Sequence, residues 1–101
     1  MKKLTITING TEHEIKRLTG KDWRTLGEFV DSNPVISDAD FIEKHAAFVA
    51  KFFDGVTVED VLEMPLEEII PAAMAIRKLI GETIAAKMER IEKNSEADKA
   101  Q

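Results

Sequence analysis

The dipeptide Asn9-Gly10 constrains this chain more than any other feature in it. Before it, Leu4, Ile6 and Ile8 alternate with Thr5 and Thr7. That period-two pattern marks a half-buried strand. Asn-Gly between two such runs marks a type I′ hairpin turn, because both central residues need positive φ. A two-residue turn pairs Ile8 with Thr11, Ile6 with His13 and Leu4 with Ile15, within a hairpin over 3–17. Two strands alone are marginal in water, so their apolar face must be covered by later segments of the chain.

Those later segments read as helix. Thr19 is placed to cap a helix over 20–31, with Asp22 in its first turn. Trp23, Leu26, Gly27 and Val30 share one face, flanked by Phe29. Ser32-Asn33-Pro34 breaks the helix. Ser37 or Asp38 opens a second helix over 38–54, with Phe41, Ile42, His45, Phe48, Val49, Phe52 and Phe53 as a wide apolar stripe. Gly55 is suited to a left-handed stop. Thr57 caps a third helix over 57–64.

The last helix is expected over 65–93. Pro71 either starts it after a short turn or sits inside it at a bend. One bent helix is preferred, because Ile69, Ala73, Ile76, Ile80, Ile84, Met88 and Ile91 keep one phase across the proline. Residues 94–101 carry no apolar anchor and are expected to form a disordered tail. The whole is a single domain over 1–93, of α+β class: an N-terminal β-hairpin packed on a mainly helical bundle with a long C-terminal helix.

Charge is unevenly placed. The net charge is −5 over 101 residues. Residues 1–24 hold six Lys/Arg against three Asp/Glu, residues 25–70 two against eleven, and residues 71–101 six against five. An acidic middle and no dense basic stripe argue against nucleic acid as a partner. No apolar run approaches the ~18 residues of a membrane span. No continuous apolar leader comes after Met1-Lys2-Lys3, so no secretory signal is expected.

Reactive constellations are missing from the pattern. There is no cysteine, which removes thiolate nucleophiles and Cys-based zinc sites. His13 and His45 lack ligand-like spacing and read as core or boundary histidines. Glu59-Asp60, Glu63 and Glu67-Glu68 sit at helix starts or on polar faces, where capping and solvation account for them. The glycines form no phosphate-binding loop. The chain is therefore read as no enzyme, with no cofactor and no metal.

Apolar helical surface is left as the chain's main resource. Trp23, Phe29, Phe41, Phe48, Phe52 and Phe53 serve first as core. A helix over 71–93 extends ~35 Å, whereas a domain of this size is ~26 Å across. Its far end is expected to overshoot the core, and a stripe that overshoots must meet another copy, another protein or water. Ile76, Ile80, Ile84 and Met88 are the expected client-facing residues.

In this order of segments the chain resembles phage tail assembly chaperones of the type found in siphophages and prophages of Gram-positive bacteria. The resemblance runs through KLTITINGTEHEIKRLTG, DWRTLGEFVD, FIEKHAAFVAKFFDG and VTVEDVLEMPLEEIIP, and then a long C-terminal helix with a polar tail. It implies a protein that binds the long, largely helical tape measure protein, keeps it soluble and helps tail tube protein gather around it. It implies residence in the host cytoplasm, absence from the mature virion and, in many members, a longer frameshifted product. Self-association is compatible with it. The alternatives are a structural head–tail or tail component of the virion, or a small regulatory protein-binding domain.

Overall fold

The structure is a computed structural model. It describes the backbone over residues 4–99, and the side chains over residues 4–86 and at Met88. The fold is mixed α+β and mostly helical, with an N-terminal hairpin packed on helices and a long C-terminal helix.

Strands β1 (Thr5–Ile8) and β2 (Thr11–Glu14) pair antiparallel, with Ile6 opposite His13 and Ile8 opposite Thr11. Ile15 N–H donates to the Leu4 carbonyl at 2.8 Å and prolongs the pairing. Asn9 and Gly10 have φ of 51° and 79°, as a type I′ turn requires. Ile6 and Ile8 are buried, with Leu4 and Ile15 packed against the core beside them. Glycine matters at position 10 because of its backbone and not its space: nothing lies within 4 Å of an added Cβ. Gly10→Ala is expected to cost about 1–2 kcal/mol, the penalty of a left-handed L-residue. Gly27→Ala, in a helix interior with equally open surroundings, should instead stabilise by about 0.5–1 kcal/mol. Urea unfolding of the two variants checks the pair of opposite signs.

Helix α1 (Gly20–Asp31) starts at Thr19, whose N–H donates to Asp22 Oδ2 at 2.7 Å. The expected inward face of α1 is corrected. Asp22 and Phe29 are buried and Leu26 is half-buried, while Trp23 and Val30 stand in solvent. The inner stripe runs through Asp22, Leu26 and Phe29, because the first-turn carboxylate is held inside by two partners. The helix ends at Ser32, where Asn33 takes φ of 47° ahead of Pro34.

Helix α2 (Phe41–Ala50) is shorter than the 38–54 expected. At its start, Asp38 N–H bonds Val35 and Phe41 N–H bonds Asp38, so this stretch makes separate turns. At its end, the N–H groups of Lys51, Phe52 and Phe53 bond the carbonyls three residues back. Past this end, the adjacent rings of Phe52 and Phe53 both lie in the core. Gly55, at φ of 75°, then reverses the chain.

Helix α3 (Val58–Leu62) carries a reciprocal cap. Asp60 N–H donates to Thr57 Oγ1 at 3.1 Å, and Thr57 N–H donates to Asp60 Oδ2 at 2.9 Å. The Thr57 backbone N–H, and after it the Thr57 hydroxyl, holds the Asp60 carboxyl below the usual aspartate value.

Helix α4 (Leu66–Lys99) runs through Pro71 as one helix. The proline lacks the N–H that would bond the Glu67 carbonyl, but both residues are exposed, so water can satisfy that oxygen. Ile69, Ala73, Ile76 and Ile80 face inward against the α2 side chains. The helical backbone continues to Lys99, past the expected end at 93, so helix replaces the expected tail over 94–99, and residues 100–101 lie outside the described residues.

Candidate partner-binding surface

Two anchors position the N-terminal end of α1. The Lys16 N–H donates to the Phe52 carbonyl at 2.9 Å, tying the hairpin exit to the end of α2. Its Nζ lies 3.5 Å from Asp22 Oδ1. Asp22 thus has one oxygen on the Thr19 N–H and the other facing the Lys16 ammonium. A polar group this deeply buried is costly without such partners.

Between this end of α1 and helix α4 lies an open groove of about 480 Å³. Its apolar walls are Leu18 and Trp23 on one side and Ile80 and Ile84 on the other. The hydroxyl of Thr83, also on the wall, donates to the Leu79 carbonyl at 2.8 Å, within its own helix. Trp23 is 57% exposed, a large ring left mainly in solvent.

The stripe on α4 emerges here. Ile76 is fully buried, Ile80 is 4% exposed, Ile84 37% and Met88 56%. This corrects half of the expected client surface. Ile76 and Ile80 are core, because α2, with α1 and α3, packs on that stretch of α4, although Ile80 also lines the groove. Ile84 and Met88 lie beyond the cover and remain available. Trp23, read from the sequence as a core ring, joins them. Helical periodicity gives no signal of its exposure, because it places the ring inward.

The histidines are accounted for by packing. His45 is buried, with Nδ1 2.8 Å from the Phe41 carbonyl. Its ring meets Phe29 edge-on at 5.0 Å and Phe41 at 4.5 Å. Phe29 in turn stacks on Phe48 at 4.3 Å. His13 is half-exposed on β2. Among the described residues, no group of three or more His, Cys, Asp or Glu is arranged to hold a metal ion. Nor does any buried side-chain polar atom there lack a hydrogen-bond partner. No helix among the described residues is long and apolar enough to cross a membrane. A second, smaller hollow of about 180 Å³ between α1 and α2 includes Phe29, Phe48, Lys44 and Lys51.

The architecture and this surface define a small α+β protein, mostly helical, with an apolar groove on its flank. No protein-family model, curated protein or solved structure matches the chain.

Proposed function

We propose that this protein is a tail assembly chaperone that holds apolar helical segments of a phage tape measure protein during tail morphogenesis. The observation that carries the reading is the course of the α4 stripe. It leaves the core between Ile80 and Ile84 and continues onto open surface beside the exposed Trp23. A contiguous apolar surface of this kind suits a helix laid against a groove. Methionine and tryptophan supply, respectively, adaptable and high-area contact. The order of hairpin, short helices and long helix, on which the resemblance rests, supports the same reading. In this role the protein acts in the host cytoplasm, meets tail tube protein as a second partner in assembly, and is left out of the finished particle.

Co-expression with the tape measure protein is the test. The proposal expects most of the client in the soluble fraction with the chaperone and in the pellet without it. Equal partition in the two cases would dispose of it. Mass spectrometry of purified particles separates the rival reading, since a structural tail component would be present there in stoichiometric amount.

A further inference from the structure

We infer that the helix received in the Trp23 groove carries acidic side chains flanking its apolar face. The inference rests on the proposed function, in which the groove receives a protein helix, and it specifies that helix. It comes from the charge around the groove and not from its apolar walls. Residues 16–24 contain Lys16, Arg17, Lys21 and Arg24 against a single acid, Asp22, in a chain whose net charge is −5. Asp22 is 3% exposed and already faces the Lys16 ammonium, so it subtracts little from the field outside. Arg17, Lys21 and Arg24 are exposed on the segment that forms one wall. On α4, exposed Arg77 lies one turn before the groove residue Ile80. The neighbouring acid on that helix, Glu82, is 3.9 Å from Lys78 Nζ. The positive end of the α1 dipole adds to the same sign.

Residues 25–70, with two Lys/Arg against eleven Asp/Glu, repel an acidic partner from their part of the surface. Complementary charge at one place and like charge elsewhere fixes where and in which orientation a partner docks. An apolar helix with glutamates or aspartates beside its apolar residues satisfies both the walls and the rim. A nucleic acid satisfies only the rim.

Trp23 is the single tryptophan of the chain, so its fluorescence reports occupancy directly. The full-length protein is titrated with three helical peptides that share one leucine face and differ only in flanking Glu, Gln or Lys. At about 0.05 M salt the Glu peptide is expected to bind about tenfold more tightly than the Lys peptide, with Gln between them. At about 0.5 M salt the spread should shrink to about twofold, as screening of exposed charge requires. The double variant Lys21→Glu, Arg24→Glu should abolish the preference, since the two added acids offset the remaining Arg17 and Arg77. Charge-blind binding of all three peptides, or an unchanged Glu preference in the double variant, overturns the inference and leaves the chaperone reading standing. A Trp23 response to vesicles of phosphatidylglycerol and to none of the peptides also overturns it, in favour of an anionic lipid surface. Should the Glu preference hold while co-expression fails to solubilise the tape measure protein, the groove chemistry stands and the chaperone reading falls.

Discussion

Replacing Ile76 with alanine is expected to lower the unfolding free energy by about 2–5 kcal/mol, the usual cost of emptying a core site of this size. Ile76 is fully buried, on the face of α4 that packs against α2. Small domains are stable by only about 5–15 kcal/mol, so the variant should lose a large share of its margin. Ile84→Ala removes the same atoms from the same helix two turns later. Ile84 is 37% exposed on a groove wall, so less area returns to water and no closed cavity forms. Its cost should stay near or below about 1 kcal/mol. Urea unfolding of both variants measures the contrast. Equal costs would mean that the stripe does not leave the core where the structure has it leave.

The same two residues mark how far the fold was legible in the sequence. The phase of the stripe from Ile69 to Met88 could be read across Pro71, because helical period depends only on local geometry. Where the stripe passes from interior to surface could not, because that depends on how far α2 and its neighbouring helices reach along α4. The hairpin register was readable for the opposite reason: Asn9-Gly10 fixes it locally, and the observed pairs Ile6–His13 and Ile8–Thr11 result. The caps at Thr19 and Thr57 were likewise local signals.

Helix α1 defeated the pattern because its hydrophobic residues are not all inside. A buried Asp22, held by Lys16 and the Thr19 N–H, turns the helix so that Trp23 points out. Periodicity scores a carboxylate as outward and a tryptophan as inward, so both were misplaced together. Phe52 and Phe53 were read as core and are core; a second limit lies in the bounds of the helix expected to carry them. As neighbours in an α-helix they would diverge by ~100°. They lie beyond the end of α2 at Ala50, in separate turns ahead of the reversal at Gly55, and both are buried. Of the candidate surface, Ile84 and Met88 were therefore visible in advance, and the groove with its basic rim was not.

Trp23→Ala is expected to leave the fold nearly unchanged and to weaken client binding by about 2 kcal/mol or more, roughly thirtyfold in affinity. The ring is more than half exposed and contributes a groove wall, so its removal takes little from the core. Tryptophans in such positions dominate binding energy because they bury a large area at the cost of two torsions. Combining it with Ile84→Asp, which adds a charge to the opposite wall, should return the tape measure protein to the insoluble fraction in co-expression. The urea midpoint of the double variant should nevertheless stay above that of Ile76→Ala, because the two changes touch the groove and not the interior beneath it. A double variant that keeps the client soluble would place the binding surface elsewhere on the molecule. One that is less stable than Ile76→Ala would show that the groove is part of the core.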